Sequence, residues 1–170
     1  MNISIIYYSK SGNTKAMAEI ISEGCKSQEG VNVKQMPVDA VDDEFVKASS
    51  VVLFGSPTYC GNCCWQIKQY LDYHPKALIG KLGGVFVSQN QPGGGGASFA
   101  TMSMIAELLV CGMLVYSSGI AEGAPIIHFG AVSQKKPLPH TLDYERCLKF
   151  GERMTQKAFE IFTKNKNNKK

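Results

Sequence analysis

Short apolar runs alternate with amphipathic stretches along most of the chain. Residues 3–8, 51–55 and 84–88 are compact apolar runs bounded by turn-forming residues, which is typical of β-strands. Residues 31–36 alternate apolar with polar side chains, and residues 113–117 form a further short apolar run. We therefore expect five strands. Apolar side chains at helical spacing predict helices over residues 14–26, 42–47, 65–73, 98–111 and 142–162.

Strands that alternate with helices at this spacing predict a parallel sheet covered by helices on both faces, which is an α/β architecture. Residues 51–55 are apolar on both sides, as expected for a strand in the middle of such a sheet. Neither an internal repeat nor a linker interrupts the pattern. Residues 1–163 are thus predicted to form a single domain, followed by a Lys-rich flexible tail at residues 164–170.

The basic charge of the chain is confined to its end. The 170 residues carry a formal net charge of +4, from 18 basic and 14 acidic side chains. Four lysines fall within residues 164–170, so residues 1–163 carry 14 charges of each sign. Four clustered lysines give only non-specific, salt-sensitive attraction to a polyanion. We therefore expect no specific nucleic-acid partner.

The termini and the cysteines indicate a cytoplasmic, reducing environment. The N-terminus lacks the cationic lead and apolar stretch of a secretory signal, and no window approaches the ~18 apolar residues of a membrane span. The six cysteines are irregularly spaced, which argues against a disulfide framework. Cys60, Cys63 and Cys64 include a C-x-x-C. A redox dithiol and a plain loop both remain open there, and no metal ligand is assigned because a second C-x-x-C is missing.

Three loops follow the carboxyl ends of strands, where open α/β sheets bind their ligands. The first loop precedes a helix, whose N-terminal N–H groups and dipole suit a phosphate. Its predicted binding residues are Ser9, Lys10, Ser11, Gly12, Asn13 and Thr14. The same residues would also serve as a turn and helix cap without any ligand. The loop matches neither G-x-x-x-x-G-K-[ST] nor G-x-G-x-x-G, which argues against a nucleoside triphosphate or tightly bound NAD.

The second and third loops offer surfaces for a planar ring. In the second loop Pro57 fixes a turn, Gly61 permits a close approach and Tyr59 presents an aromatic face. Its predicted binding residues are Pro57, Thr58, Tyr59, Cys60, Gly61 and Asn62. The third loop contains four consecutive glycines, so its backbone could lie against a ring or simply connect two elements. Its predicted binding residues are Gln89, Asn90, Gly93, Gly94 and Gly95.

A resemblance to a known family is carried by residues 5–14 (IIYYSKSGNT), 55–62 (GSPTYCGN) and 80–86 (GKLGGVF). The chain resembles flavodoxin-like FMN-binding proteins, nearest to the branch of multimeric-flavodoxin-type NAD(P)H:quinone oxidoreductases and NADPH-dependent FMN reductases. The resemblance implies a flavodoxin-like three-layer sandwich with a five-stranded parallel sheet in the order 2-1-3-4-5. It also implies FMN, with its phosphate in the first loop and its isoalloxazine between the other two. No catalytic side chain is expected, because the flavin carries the electrons.

The resemblance implies an FMN-dependent oxidoreductase that takes electrons from NAD(P)H and reduces a quinone or similar small-molecule acceptor, working as a homodimer or homotetramer. The alternative is a flavodoxin that carries single electrons between redox proteins, and a third is a non-redox module with a degenerate site. Carrier flavodoxins are typically acidic, so the neutral charge of residues 1–163 favours the enzyme. Tyr59 stands where quinone reductases often have an arginine, and the isolated His128 is given no catalytic role.

Overall fold

The computed structural model describes residues 1–92 and 96–163 and places a central sheet between two helical layers. Its helices are α1 (Asn13–Cys25), α2 (Asp43–Ala48), α3 (Trp65–Tyr73), α4 (Gly96–Val110) and α5 (Leu142–Phe162). Its strands are β1 (Asn2–Tyr7), β2 (Asn32–Pro37), β3 (Val51–Tyr59), β4 (Asn62–Cys63), β5 (Leu82–Gln89), β6 (Leu114–Val115) and β7 (Ala131–Gln134). A single 3-10 turn, Pro75–Ala77, follows α3. None of the helices in the described ranges is long and apolar enough to cross a lipid bilayer.

The main strands run parallel in the spatial order β2-β1-β3-β5, with β6 and β7 sharing the position beyond β5. β3 lies in the middle, so that Tyr7 of β1 pairs with Gly55, and Gly55 pairs with Phe86 of β5. The predicted three-layer α/β fold with a parallel sheet is confirmed. The five predicted helices also agree with the observed ones to within two residues at each end.

The fifth position of the sheet differs from the prediction of one strand over residues 113–117. β6 lies beside the first two residues of β5, and β7 lies beside its last four. Between them, residues 116–130 leave the sheet where Ser118 and Gly119 adopt positive φ angles of 70° and 54°, a conformation that ends a strand. The sequence does not reveal β7, because four alternating residues without a longer apolar run give a weak strand signal.

Two apolar layers fill the spaces between the sheet and the helices. One layer joins the sheet to α1 and α5, and the other joins it to α2, α3 and α4. Successive residues of β3 serve opposite layers, so Leu53 packs toward α1 and α5 while Phe54 packs toward α3 and α4. Both side chains are fully buried. Burial on both faces explains why the middle strands are continuously apolar.

Helices α1 and α5 touch through their backbones. A β-carbon on Gly24 would lie 2.1 Å from the carbonyl oxygen of Leu148, and one on Gly151 would lie 2.1 Å from the carbonyl oxygen of Ile21. Carbon and oxygen atoms that are not bonded do not approach so closely, and the blocking atoms belong to backbone rather than to movable side chains. Glycine is therefore required at both positions for this helix packing.

A buried arginine ties residues 116–130 to α5. Arg153 is 8% exposed, and its guanidinium makes no ion pair with any carboxylate in the described part of the chain. It donates to the hydroxyl of Ser118 and to the carbonyl oxygens of Glu122, Gly123, Ala124 and Pro125, over 2.8–3.3 Å. The planar, five-donor geometry of arginine suits such a set of acceptors. This one side chain thus ties residues 118–125 of the loop to α5.

Candidate functional site

The first predicted loop joins β1 to α1 and presents a row of unpaired backbone N–H groups. Gly12 caps α1 in a left-handed conformation with φ 87°, which directs the chain into the helix. Ser9 Oγ accepts a hydrogen bond from Lys15 N–H over 3.2 Å, and Gly12 O accepts one from Ala16 N–H. The N–H groups of residues 11–14 have no partner within residues 1–92 and 96–163. Such a row at a helix N-terminus suits an anion.

Thr14 connects the first loop to the end of β5. Its side chain is 1% exposed, and its hydroxyl lies 2.9 Å from the hydroxyl of Ser88, which is 3% exposed. The Thr14 side chain therefore connects two loops. Of the other residues in the first loop, Lys10 and Ser11 are exposed and Asn13 is half-buried. Ser88 is not predicted from the sequence, because the local pattern does not indicate a contact between residues that are 74 positions apart.

The second predicted loop is a β-hairpin rather than an open turn. β3 continues through Pro57 and Thr58 to Tyr59, and β4 returns antiparallel to it, with Tyr59 opposite Asn62. The two residues at the tip, Cys60 and Gly61, both have positive φ angles, 49° and 76°. Two such residues build the type of turn that matches the twist of a hairpin. The missed signal is the two-residue spacing between short extended segments.

The hairpin carries one buried hydroxyl without a partner and one tyrosine that lies close to the end of β1. Thr58 Oγ1 is buried and has no hydrogen-bond partner in the described part of the protein. Tyr59 is 38% exposed, its ring meets that of Tyr8 edge-on at 6.5 Å, and burial raises the pKa of its hydroxyl. Tyr8 directly follows β1, and its N–H donates to Gly55 O over 3.1 Å. The hairpin and the first loop are thus neighbours.

The third predicted loop begins with residues that organise the backbone around them. Gln89 Oε1 accepts a hydrogen bond from Ala97 N–H over 3.3 Å and so caps α4, and Gln89 O accepts one from Lys135 N–H over 2.7 Å. Asn90 is exposed, and its carbonyl accepts from the Gln134 side chain. Gly96, at the start of α4, lies against Thr58 and Gly61 of the hairpin. The predicted contacts at Gly93, Gly94 and Gly95 lie outside the described residues.

The three cysteines next to this site differ in their exposure to solvent. Cys60 is exposed at the hairpin tip, Cys63 is partly buried, Cys64 is buried, and all three are free thiols. Burial raises the pKa of Cys63, whose Sγ lies 3.8 Å from Ser103 Oγ. A raised pKa lowers the fraction of reactive thiolate, which weighs against Cys63 as a redox nucleophile. No group of three or more potential metal ligands occurs in residues 1–92 and 96–163.

His128 lies outside the three loops. It belongs to residues 116–130, at the β7 edge of the sheet, and its carbonyl accepts a hydrogen bond from Ser117. Its ring lines a cavity of about 280 Å³ together with Phe129 and Arg146. Nothing in this placement gives it a part in the three-loop site.

The three loops follow strand ends at the carboxyl edge of a parallel sheet, and the first of them presents unpaired backbone N–H groups close to a hairpin with an exposed tyrosine. A family model described as Flavodoxin matches residues 5–103. A flavodoxin from Clostridium saccharobutylicum is 40% identical over 163 residues, covering 95% of this chain and 100% of that protein. The chain belongs to the flavodoxin family, whose members bind FMN.

Two further comparisons describe the breadth of the likeness. An NAD(P)H dehydrogenase (quinone) from Geotalea daltonii is 32% identical over 146 residues, covering 68% of this chain and 70% of that protein. Among solved structures, a WrbA-like flavodoxin from Agrobacterium tumefaciens superposes with a TM-score of 0.78 at 22% identity, covering 94% of this chain and 98% of the other. The structural likeness establishes the fold.

Proposed function

We propose that this chain binds FMN at the three-loop site and carries electrons between redox proteins. The observation that supports FMN most strongly is the row of unpaired N–H groups in the first loop, next to a hairpin with an unsatisfied buried hydroxyl and an exposed tyrosine. The carrier is supported by the likeness to a flavodoxin along that protein's entire length, whereas the likeness to the quinone dehydrogenase spans 70% of it. The extent of the likeness outweighs the neutral net charge of residues 1–163, which favours the enzyme.

In this proposal the first loop holds the phosphate. The N–H groups of residues 11–14 donate to its oxygens at the positive end of the α1 dipole. Ser9, Ser11 and Asn13 supply side-chain donors, and the exposed Lys10 adds positive charge nearby. Thr14 contributes its N–H, while its hydroxyl keeps the loop in register with β5 through Ser88.

The hairpin and the third loop hold the ring. Bound FMN supplies reversible one- and two-electron chemistry, and the chain tunes it through hydrogen bonds and burial. Thr58 Oγ1 donates one hydrogen bond that it cannot make within the described residues, and Tyr59 provides a neutral aromatic wall. The backbone at the turn approaches the ring without side-chain interference. The proposed contacts are Pro57, Thr58, Tyr59, Cys60, Gly61 and Asn62 on one side, and Gln89, Asn90, Gly93, Gly94 and Gly95 on the other.

A pair of glycine variants tests the cradle. Gly12 and Gly30 have φ angles of 87° and 76°, and a β-carbon on either would meet no atom within 4 Å. Gly12→Ala and Gly30→Ala therefore carry the same backbone strain, about 1 kcal/mol. We expect Gly12→Ala to weaken FMN binding about tenfold or more in a fluorescence titration, and Gly30→Ala to leave it unchanged. Equal affinities of the two variants for FMN would contradict a role of the first loop in FMN binding.

Redox titration separates the carrier from its competitors. For the carrier we expect the FMN-loaded protein to take up electrons in two resolved one-electron waves and to react slowly with NADPH in a stopped-flow mixing experiment. Electron delivery from a reduced redox protein should be fast. Rapid loss of the oxidised-flavin absorbance on mixing with NADPH, followed by multiple turnovers with a quinone, would contradict the carrier function and support the enzyme.

The second candidate is an FMN-dependent NAD(P)H oxidoreductase with a quinone or similar small acceptor. The equal numbers of acidic and basic side chains in residues 1–163 favour it, because a neutral surface gives no electrostatic steering toward a charged redox partner. The salt dependence of electron transfer is the discriminating measurement. Rates to a basic redox protein that stay constant between about 10 and 300 mM salt, with fast NADPH oxidation, would favour this candidate.

A further inference from the structure

A cavity of about 280 Å³ lies beside β7, where residues 126–130 meet α4 and the beginning of α5. Its apolar lining comes from Ile126, Ile127, Phe129 and Val132. Ile127 is 1% exposed and Phe129 is 52% exposed, so this lining reaches from the core to the surface. The volume is at the lower end of the ~300–1,000 Å³ range of small-molecule sites. The cavity therefore suits a compact ligand with an apolar body.

Arg146 supplies the one permanent charge among the described residues that line the cavity. Its side chain is 35% exposed, so protein covers most of it. Asp143 Oδ1 lies 3.6 Å from Arg146 Nη1, which is too far for a hydrogen bond, and Asp143 Oδ2 accepts a hydrogen bond from Gln134 N–H over 3.0 Å. This ion pair balances part of the charge, but it occupies none of the guanidinium N–H donors.

The guanidinium of Arg146 has no hydrogen-bond acceptor in residues 1–92 and 96–163. Arg153, further along α5, contrasts with it, because five oxygen atoms accept hydrogen bonds from that guanidinium. A guanidinium carries its N–H donors in a planar fork and has no acceptor of its own. Largely covered polar groups are normally hydrogen-bonded, so the free fork of Arg146 indicates an acceptor that the chain itself does not provide.

We propose that this cavity binds a small organic acid, whose carboxylate lies on the guanidinium of Arg146 and whose apolar body packs against Phe129 and Val132. Two parallel N–H···O bonds from the fork fit a carboxylate. One cation that Asp143 already balances in part matches a single negative charge, whereas a phosphate dianion would keep an unbalanced charge beside apolar side chains. The volume and the apolar lining favour an acid with a body of about the size of a phenyl ring over a purely polar anion.

The cavity is next to the three-loop site and separate from it. Ser98, in its lining, directly follows Ala97, whose N–H donates to Gln89 Oε1 over 3.3 Å. On the other side, the Gln134 side chain at the end of β7 donates to Asn90 O over 3.4 Å. None of the described lining residues belongs to the three loops, so the binding of an organic acid here does not depend on the proposed function.

A titration with sodium benzoate, followed in two-dimensional NMR spectra of the FMN-loaded chain, tests the site. Benzoate joins one carboxylate to a phenyl ring, and bound FMN keeps it out of the first loop. We expect saturable shifts of the backbone amide signals of residues 126–130 and of the Arg146 side-chain signal, with a dissociation constant of about 1 mM or below. Benzamide has the same shape without the charge and should bind at least ~10-fold more weakly.

Arg146→Met removes the cation, keeps the length of the side chain and should weaken benzoate binding about 10-fold or more, with little effect on benzamide. The control is Lys149→Met, which removes a cation one turn further along the same helix. Lys149 pairs with Glu152 over 2.6 Å and is not among the described lining residues, so this variant should bind benzoate like wild type. Far-UV circular dichroism shows whether each variant is folded, and the comparison of benzoate with benzamide needs no variant.

The proposal is overturned if residues 126–130 show no saturable shift at about 50 mM benzoate, if benzoate and benzamide bind equally, or if Arg146→Met binds benzoate like wild type. The titration is repeated on the apoprotein, so that the two proposals can fail separately. A chain that binds no FMN but still binds benzoate beside β7 would contradict the proposed function and support the organic-acid site. A chain that binds FMN but shows none of the shifts would contradict the organic-acid site alone.

Discussion

The buried hydroxyl of Tyr70 contributes to how one of the apolar layers responds to pH. The Tyr70 ring packs between Phe54, at a centroid distance of 6.0 Å, and His74, on which it stacks at 4.4 Å. Its hydroxyl is buried and lacks a hydrogen-bond partner in the described ranges of the chain. Burial, with a smaller contribution from Asp43, raises the pKa of Tyr70 to about 12. The hydroxyl therefore costs stability without giving a contact in return.

Tyr70→Phe should leave stability at pH 7 unchanged or raise it by about 1 kcal/mol, because it removes an unsatisfied polar atom and keeps the ring. The folded-state pKa lies above the ordinary value of 10. The neutral phenol is therefore favoured by folding, and that stabilisation is present below pH 10 and lost as the pH rises toward 12.

The measurement is urea denaturation at pH 7, 10 and 11.5. Wild type should lose more stability than Tyr70→Phe over this range, whereas Tyr73→Phe, at a residue that is 76% exposed, should follow wild type. Parallel curves for wild type and Tyr70→Phe would contradict the account of the buried hydroxyl.

The sequence predicts that the first loop can bind an anion, but it does not predict which side chains of the loop are free to do so. Turn-forming and hydroxyl residues before a helix identify a potential cradle. The sequence does not distinguish Thr14, whose hydroxyl is used by Ser88, from Ser11, which is exposed. That difference depends on a tertiary contact between β5 and α1, and local pattern carries no information about it.

At the scale of elements, the backbone contact between α1 and α5 holds one helical layer together. Gly151→Ala should destabilise the protein by about 2 kcal/mol or more. The higher helix propensity of alanine, worth about 1 kcal/mol, is outweighed by overpacking against the Ile21 carbonyl. Thermal denaturation measures the effect. Gln156→Ala, on the exposed side of the same helix, should change stability by less than about 0.5 kcal/mol. Similar melting curves for both variants would mean that the helices can separate without cost.

The connection between β6 and β7 depends on Arg153. Arg153→Met keeps the length of the side chain but leaves four carbonyls and a hydroxyl without their donor, so we expect a loss of about 3 kcal/mol. Residues 116–130 should become the first site of proteolysis. Arg146→Met, which breaks a 3.6 Å pair with Asp143, should change neither property appreciably. Cleavage at wild-type rates in Arg153→Met would show that other contacts hold this segment.

Elements differ in how far their patterns reveal them. Helices with a clear apolar face are predicted to within two residues. The hairpin Tyr59–Asn62 and the split fifth strand are not, because the ladders involved are two to four residues long. Such short strands exist only through pairing with β3 and β5. Tertiary contacts stabilise these strands, so a local sequence pattern does not predict them.

At the scale of the whole molecule, the alternation of strands and helices predicts the layers and the parallel sheet. The sheet order then brings the ends of β1, β3 and β5 to neighbouring positions, so the loops that begin there start at the same edge of the sheet although they are far apart in sequence. The balance of charge is less informative. It favours an enzyme over a carrier, whereas the extent of the likeness to known proteins supports the carrier.

The central claim is that the cradle at the start of α1 binds the phosphate of FMN. The most direct measurement is a pair of fluorescence titrations of the apoprotein, one with FMN and one with riboflavin, which differ only in that phosphate. The account predicts that FMN binds at least ~100-fold more tightly, since several charge-assisted hydrogen bonds to backbone N–H groups contribute about 3 kcal/mol or more. Equal affinities, or no binding of FMN, would contradict it.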